Sequence, residues 1–450
     1  MSADDKIPAS DISDALVRLR LQVGERPSEP AEQPQASTNK SKDGNPKSEN
    51  LPIKTDLRLV EPAVFDPEDL TKAAGTVGAL IDWISAASLY PNRPLALGAA
   101  LVTVGTLIGQ RVAGPTHGST HLYVVGIGGS ASGKQQGIDS AKEALNEIGA
   151  QDRIGAGDFR SSVALVNSLK KQSVFCSFID EYGLVLQRIG NKGAGGYEYD
   201  VVSVLQQLWG LNWTYFNSPA AARENSQRIF APAFSLLGLS VPEHFYGAVT
   251  LKQIAGGLLN RHLIIRGEDR PPLQNRADGS WKVPGELKRR LQALYQQWPK
   301  LTLEEILNKP ADDMSFQPMI TMTWGSDAAK QIWVDLTAKL RNDPDELRRN
   351  LFARVPEMTI RIATIVAFSR GSHVVEETDM KWARALTLKS AETLHEGVLK
   401  YTVDPQGFAG LCQKILELAA EDNGWISRRD LKRRCTTLIA KASDLDLAAR

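Results

Sequence analysis

A seven-residue segment, Gly128-Gly129-Ser130-Ala131-Ser132-Gly133-Lys134, constrains this chain more than any other feature. It fits the pattern G-x-x-x-x-G-K of a phosphate-binding loop. Glycines allow successive backbone N–H groups to point inward around phosphate oxygens, at a helix N-terminus whose dipole favours anions. The lysine side chain then reaches the β- and γ-phosphates. The pattern therefore predicts a nucleotide site, with ATP as the expected ligand.

The segments around the loop supply the context that this motif requires. Residues 121–127 are apolar and rich in β-forming residues, which predicts a strand, and residues 135–148 predict a helix. Further short apolar runs predict strands at 174–179, 230–239 and 262–265. Strands that alternate with helices indicate an α/β fold with a mainly parallel sheet and helices on both faces.

One position departs from the motif. Gln135 follows the lysine, where a Ser or Thr hydroxyl normally binds Mg²⁺. The sequence leaves three replacements open: the amide oxygen of Gln135, the hydroxyl of Ser132, or water together with Asp180. Mg²⁺ remains the expected metal.

An acidic pair, Asp180-Glu181, ends the predicted strand 174–179. In a phosphoryl-transfer site, Asp180 would hold Mg²⁺ directly or through water. Glu181 would orient and deprotonate the attacking water. We expect this strand to lie next to the strand that carries the phosphate-binding loop.

Two more side chains are candidates for contact with the γ-phosphate. Ser240 ends the third predicted strand and could sense the phosphate, with Ser235 as the reserve. Arg261 follows Gly256-Gly257 and leads into the fourth strand. Its guanidinium could stabilise charge on the transferring phosphoryl group, within one subunit or from a neighbouring subunit.

Basic and aromatic residues outside the loop are candidates for nucleic-acid binding. Two polar insertions, 191–197 and 218–228, are expected as loops that could face a central channel, and a basic cluster follows residue 427. Cations there would contact phosphates, and an aromatic ring would stack on a base. The candidates are Lys192, Tyr197, Arg223, Arg428 and Arg429.

Composition excludes several other classes of protein. The chain has 53 Lys and Arg against 52 Asp and Glu, so bulk charge cannot hold it on nucleic acid. Three cysteines without a C-x-x-C pair make neither a disulfide framework nor a cysteine metal site. The six histidines show no zinc-ligand spacing. The chemistry is therefore expected from the phosphate-binding loop.

The apolar run at 94–109 is shorter than the ~20 residues that cross a bilayer. Arg93 and Arg111 also bracket it closely, so we expect a buried core helix. Residues 1–20 lack the pattern of a secretory signal. The sequence therefore predicts a soluble, cytoplasmic protein without a membrane partner.

Composition shifts along the chain divide it into five predicted regions. These are a disordered tail (1–60), a helical region (61–115), the ATPase core (116–285), a second helical region (286–403) and a C-terminal module (404–450). The module matches either the first three helices of a winged helix or a plain helical unit.

The sequence also predicts the bounds of several helices. Asp66-Pro67-Glu68 has an N-cap residue, a proline at the first position and an acid in the first turn, which predicts a helix from there to residue 88. In the C-terminal half the predicted helices span 285–298, 326–341, 345–370, 377–400 and 406–422.

These residues together resemble the helicase-type P-loop ATPase domain of phage- and plasmid-encoded primase–helicase proteins, over about residues 65–400. The segments that carry the resemblance are 94–110, Leu122-Tyr123-Val124-Val125-Gly126, the loop at 128–134, Phe178-Ile179-Asp180-Glu181-Tyr182-Gly183, Ser235-Leu236-Leu237-Gly238 with Pro242-Glu243, Gly257-Leu258-Leu259-Asn260-Arg261 and Glu357-Met358-Thr359-Ile360-Arg361-Ile362-Ala363.

The resemblance implies a RecA-like core, assembly into a ring, expected to be a hexamer, and ATP-driven work on single-stranded DNA in the replication of a mobile genetic element. Priming or initiation is expected from a separate protein. Two alternatives stay open: a nucleotide-dependent switch or assembly ATPase with little hydrolysis, favoured by Gln135, and a P-loop phosphotransferase.

Overall fold

The chain divides into two compact units, Ile53–Val398 and a second one formed by Met1–Pro52 with Leu399–Arg450. The computed structural model describes residues 6–8, 59–190, 196–218, 228–249, 254, 256–296, 320–401, 415, 418, 425–427, 430 and 433–434. In the second unit, Lys6–Pro8 pairs antiparallel with Trp425–Ser427. These strands fall within the segments predicted as a disordered tail and a winged-helix-like module, which otherwise lie largely outside the described residues.

The larger unit alternates helices and strands. Its helices are α1 (Gly75–Ala87), α2 (Arg93–Leu107), α3 (Gln135–Glu147), α4 (Ser162–Lys171), α5 (Tyr182–Gly190), α6 (Gly196–Gly210), α7 (Pro242–Gly247), α8 (Gly285–Gln296), α9 (Asp327–Arg341), α10 (Glu346–Phe352), α11 (Val355–Ser369) and α12 (Glu377–Tyr401). Its strands are β1 (Val112–Ala113), β2 (Tyr123–Ile127), β3 (Val174–Ile179), β4 (Tyr215–Asn217), β5 (Arg228–Phe230), β6 (Ala233–Ser240), β7 (His262–Arg266), β8 (Ile320–Thr321), β9 (Thr323–Trp324) and β10 (Val374–Val375).

Four strands form the central sheet in the order β3-β6-β2-β7, and all are parallel. Nearly every residue in them is buried, because helices cover a parallel sheet on its faces. Ile127 lies opposite both Ser240 and Arg266, and Ile179 lies opposite Gly238. The carboxyl ends of the strands therefore meet at one edge of the sheet.

The prediction that β3 lies next to β2 is wrong. β6 lies between β2 and β3, so the strand that ends in Asp180-Glu181 is not adjacent to the strand that carries the phosphate-binding loop. Chain order cannot reveal such an insertion, because β6 follows both strands in the sequence. Two strand spacings separate β2 from β3 by about 10 Å.

Helix α2 packs against all four strands and against α3. Every residue from Leu95 to Leu107 is buried, which confirms the predicted core helix. Small residues permit this close approach, since a Cβ at Gly98 would lie 3.0 Å from Val124 Cγ1. Within the described part of the chain, none of the helices combines the length and the hydropathy that a membrane-spanning segment requires.

The first predicted helix starts later than its sequence signal. Asp66 accepts a hydrogen bond from the backbone N–H of Glu68 at 3.0 Å, and Asp69 accepts one from Thr71 at 3.0 Å. Such local bonds favour turns over helix. The helix begins at Gly75, which has a φ of 66°.

The predicted helix at 345–370 is two helices, α10 and α11. Asp345 caps α10 by accepting a bond from the N–H of Arg348 at 3.1 Å. Pro356 lies in the first turn of α11. A helix cannot run through this proline without losing a backbone hydrogen bond, whereas the first turn tolerates it.

A buried cluster around Arg361 connects α11 to α6 and to the residue two positions before β2. Its guanidinium donates to the carbonyls of His121 at 3.0 Å and Trp209 at 2.8 Å. It also pairs with Glu357 at 2.7 Å and lies 4.2 Å from the centre of the Trp209 ring. The larger unit therefore includes α11, and the predicted boundaries at 115/116 and 285/286 fall inside this unit.

Candidate functional site

The phosphate-binding loop starts where β2 ends, at the carboxyl edge of the sheet. The N–H of Gly128 donates to the carbonyl of Ser240 at 3.1 Å, which ties the loop to β6. Ala131 and Gly133 have φ values of 63° and 73°, so the loop turns through left-handed conformations before α3 begins at Gln135. Gly133 adopts this conformation without strain because it lacks a Cβ.

The hydroxyl of Ser132 is the strongest sign of a ligand inside the loop. Ser132 is fully buried, and its Oγ has no hydrogen-bond partner among the described residues. A Cβ at Gly128 would lie 2.6 Å from this oxygen, so only glycine leaves the space open. Buried polar groups are normally paired, so an orphaned hydroxyl in a glycine-lined loop fits a bound phosphate or its metal ion.

Three hydrogen bonds of the Asn92 side chain connect the loop to Glu268. Its Nδ2 donates to the carbonyls of Ser132 and Glu268, each at 2.9 Å, and its Oδ1 accepts from the N–H of Glu268 at 3.1 Å. Sequence reasoning missed this residue. An Asn before a helix indicates an N-cap, but this side chain makes no capping bond to α2.

Lys134 and Glu181 meet at the edge of the sheet. The Nζ of Lys134 lies 3.4 Å from Glu181 Oε1. The Lys134 side chain is 15% exposed and the Glu181 side chain 38%. The structure thus brings together the predicted phosphate cation and the predicted general base.

A second partner of Glu181 is His244, on α7. Its Nδ1 lies 3.3 Å from Glu181 Oε2, and it carries the proton because an ionised carboxylate can only accept. Burial alone would raise the pKa of Glu181, but the hydrogen bond from His244 and the charge of Lys134 outweigh it and lower that pKa. Glu181 has a φ of 52°, a conformation uncommon for a residue with a Cβ.

Gly183 is the residue that allows α7 to approach the acidic pair. A Cβ there would lie 2.5 Å from Ser240 Oγ, 2.6 Å from the carbonyl carbon of His244 and 2.7 Å from the nitrogen of Phe245. Sequence reasoning also missed His244. The only signal was its place directly after Pro242-Glu243, in a segment that carries the family resemblance.

Asp180 is exposed at the same edge, and its Oδ1 accepts the N–H of Glu181 at 3.0 Å. In the described part of the chain, no group of three or more His, Cys, Asp and Glu side chains could hold a metal. Mg²⁺ is usually held by one or two carboxylates, water and substrate phosphates rather than by an all-protein cage. Asp180 and Ser132 fit that role.

Gln135 lies on the first turn of α3. Its side chain is exposed, and its Nε2 donates to Asp139 Oδ1 at 3.0 Å. This bond engages the amide N–H and not the amide oxygen, which was the predicted metal ligand, so all three replacements stay predictions. The hydroxyl of Ser132 has the most support among them, because it is buried and has no partner among the described residues.

Ser240 is fully buried at the end of β6, and its Oγ donates to the carbonyl of Val241 at 3.1 Å. Its contact with the loop runs through its own backbone carbonyl, which accepts from Gly128. Ser235 lies further back on β6, where its Oγ accepts the N–H of Leu122 at 3.3 Å. The phosphate-sensing role of Ser240 stays a prediction.

Arg261 lies at the opposite edge of the sheet. It precedes β7, whose first residue, His262, is opposite Tyr123 at the start of β2. Five strand residues separate Arg261 from the carboxyl edge, about 17 Å. Its NH1 donates to the carbonyl of Gly257, and its guanidinium lies 5.7 Å from the centre of the Trp209 ring. The structure does not bring Arg261 to the loop of its own subunit.

The candidates for nucleic-acid binding fall largely outside the described residues; this holds for Lys192, Arg223, Arg428 and Arg429. Residues 191–197 were expected as a loop, but α6 begins at Gly196, so Tyr197 lies in its first turn. The side chain of Tyr197 lies outside the described part of the structure.

Comparison with known proteins found no match, either to a family model or to a curated protein.

Proposed function

We propose that this chain is a P-loop ATPase that binds ATP with Mg²⁺ in the loop at 128–134 and hydrolyses it with Glu181 as general base. The observation that carries the proposal is the contact between Lys134 Nζ and Glu181 Oε1, 3.4 Å long, beside a buried hydroxyl without a partner. A cation for the phosphates and a base for water are the two groups that this reaction needs.

Each residue has a separate task in the proposed reaction. Backbone N–H groups of the loop and the ammonium of Lys134 stabilise the negative charge on the β- and γ-phosphates. Ser132 and Asp180 would hold the metal, which neutralises charge on the same oxygens when bound. Glu181 accepts the proton of the attacking water, and His244 and Lys134 keep the carboxylate ionised by lowering its pKa.

The acidic pair supports a RecA-like hydrolase rather than a phosphotransferase. Although β6 lies between β2 and β3, Glu181 reaches to 3.4 Å from Lys134, so a carboxylate that can activate water lies beside the loop. Ligands of open α/β sheets bind at the carboxyl ends of the strands. The phosphate-binding loop and the acidic pair both lie there.

We further propose that hydrolysis drives a helicase-like motor on single-stranded DNA, in the replication of a mobile genetic element. This part rests on the resemblance of residues 65–400 to primase–helicase ATPase domains. The ring rests on the same resemblance. Arg261 lies away from the loop of its own subunit, so a role for this arginine in hydrolysis would require the loop of a neighbouring subunit.

A nucleotide-dependent switch with slow hydrolysis is the second candidate function. The observation that favours it is Gln135, whose side chain bonds to Asp139 in place of the usual metal-binding hydroxyl. Tight ATP binding with little turnover, unchanged by DNA, would support the switch over the motor.

The deciding experiment measures ATP turnover with and without single-stranded DNA. We expect DNA-stimulated hydrolysis in the wild type and none in Lys134→Ala. Lys288→Ala is the matched control, because Lys288 pairs at the surface with Glu147 on α3. Circular dichroism and thermal melting check that Lys134→Ala is folded. Unchanged turnover in a folded Lys134→Ala protein would refute the proposed site.

A further inference from the structure

The turn that precedes α2 lies directly against the last glycine of the phosphate-binding loop. A Cβ at Gly133 would lie 2.3 Å from the carbonyl oxygen of Tyr90 and 3.1 Å from its Cβ. Gly133 also has a φ of 73°. The side chain of Tyr90 therefore starts beside the loop, at the point where the loop enters α3.

Tyr90 belongs to an exposed apolar surface. Tyr90 is 41% exposed, its neighbour Leu89 is 45% exposed and Leu273 is 67% exposed. The N–H of Gln274 donates to the carbonyl of Leu89 at 3.0 Å, so the backbone of Leu273 lies near that of Leu89. We call the exposed residues Leu89, Tyr90 and Leu273 the apolar shelf. Bound phosphates do not need apolar surface, so the shelf needs a different explanation.

Hydrogen bonds fix the shelf relative to the loop. The Nε2 of Gln274 donates to the carbonyls of Ser85 and Ser88, at 2.7 and 2.6 Å. Asn92, two residues after Tyr90, donates to the carbonyl of Ser132 in the loop. A rigid surface loses little conformational entropy when a ligand binds to it.

A molecule that joins a polyphosphate to a flat apolar ring would satisfy both surfaces at once. Stacking of a base on an aromatic side chain strengthens binding on the order of ten-fold, and every base has a π-face that can stack in this way. Tyr90 provides the aromatic ring, and Leu89 and Leu273 widen the apolar surface around it.

We propose that Tyr90 is the base-stacking residue of the nucleotide site, and that the apolar shelf holds the purine ring of a nucleoside triphosphate whose phosphates occupy the loop at 128–134. The inference rests on the proposed function, since it takes the loop as the phosphate site. It adds a residue and a surface that the loop motif does not contain.

Tyr90→Ala tests the proposal without disturbing the loop, because alanine keeps the carbonyl oxygen and the Cβ that lie against Gly133. The measurement is the Kd, by titration calorimetry, of two probes in the presence of Mg²⁺: a non-hydrolysable ATP analogue and inorganic tripolyphosphate. Tyr90→Phe keeps the ring, and Val334→Ala on α9 removes another exposed apolar side chain as a control.

We expect Tyr90→Ala to weaken the ATP analogue about ten-fold and to leave tripolyphosphate unchanged. Tyr90→Phe and Val334→Ala should bind both probes as the wild type does. Unchanged affinity of Tyr90→Ala for the analogue would overturn the proposal, and so would an equal loss for both probes. Failure of the proposed function would look different, because Lys134→Ala would then bind both probes as tightly as the wild type.

Discussion

The ammonium of Lys134 and the carboxylate of Glu181 lie 3.4 Å apart, although their strands are separated by β6. The cation that would bind phosphate is therefore also one of the groups that lower the pKa of the proposed base. A phosphate that attracts Lys134 competes with Glu181 for it. Nucleotide binding and the basicity of Glu181 are coupled through this one contact.

Glu181→Gln should bind ATP but hydrolyse it at least ~10²-fold more slowly, because the amide keeps the shape of the carboxylate and cannot accept a proton. Binding is measured by calorimetry and turnover by phosphate release. Asp180→Asn should instead raise the Mg²⁺ concentration that turnover requires. A harmless Asp180→Asn beside an inactive Glu181→Gln would show that the metal is held without Asp180.

His244→Ala should shift the acid limb of the pH profile of kcat/KM to higher pH. His244 donates to Glu181 and thereby lowers its pKa, so loss of the bond lets that pKa rise and Glu181 is protonated at a higher pH. His244→Gln, which keeps an N–H donor, should restore much of the profile. A uniform loss of activity at every pH would contradict a role through Glu181.

Gln135→Thr should increase turnover and lower the Mg²⁺ requirement, because it supplies the hydroxyl that the motif normally has. Gln135→Ala is the matched control, since it removes the amide and its bond to Asp139 without adding a ligand. Ser132→Ala should raise the Mg²⁺ requirement. If Gln135→Thr and Gln135→Ala behave alike, the hydroxyl has no role in this chain.

Arg261→Ala should bind ATP and fail to hydrolyse it, if its guanidinium completes the site of a neighbouring subunit. Mixing it with Lys134→Ala then creates some interfaces that combine an intact Lys134 with an intact Arg261, and part of the activity should return. Native mass spectrometry checks the ring. An active monomer, or a mixture that stays inactive, would refute the role across an interface.

Stability should fall as the pH drops below about 6.5, because His262 is buried and neutral. Burial lowers the pKa of His262 from 6.5 to about 4. Its Nδ1 donates to the carbonyl of Leu258, and Tyr182 donates to its Nε2. Between those pH values only the unfolded chain binds the proton, which removes about 3 kcal/mol of stability by pH 4.

Urea unfolding at pH 7, 6 and 5 measures this effect. His262→Asn keeps a donor for Leu258 and does not titrate, so its free energy of unfolding should fall less steeply than that of the wild type. Part of the pH dependence of the free energy of unfolding should remain in His262→Asn, because burial also lowers the pKa of His121 well below its usual value. If the free energy of unfolding of His262→Asn falls with pH as steeply as that of the wild type, His262 is not the group responsible.

Local patterns predicted the parts of the fold that depend on neighbours in the chain. The loop at 128–134 and the strand at 174–179 follow from residue type and spacing, and the structure has the strand as predicted. One local prediction was wrong. The helix α1 starts at Gly75, because hydrogen bonds from the side chains of Asp66 and Asp69 to nearby backbone N–H groups form turns in place of the predicted first turns.

The candidate site shows the same division. The loop and its lysine follow from the motif. Asn92 contacts Ser132, which is 40 residues away in the chain, and His244 contacts Glu181, which is 63 residues away. No spacing rule connects such residues. The insertion of β6 between β2 and β3 is equally invisible, since the sequence lists strands in order of synthesis and not in order of pairing.

The buried guanidinium of Arg361 limits how this protein can be dissected. It donates to the main-chain carbonyls of His121 and Trp209, and the Trp209 carbonyl also lies 3.1 Å from His121 Nε2. A fragment that ends before α11 would leave the His121 carbonyl without the guanidinium, at a cost of about 1–3 kcal/mol. It would also expose one face of the Trp209 ring. Fragments for biochemical work should therefore include α11, since the part of the chain before it is not expected to fold as an independent piece.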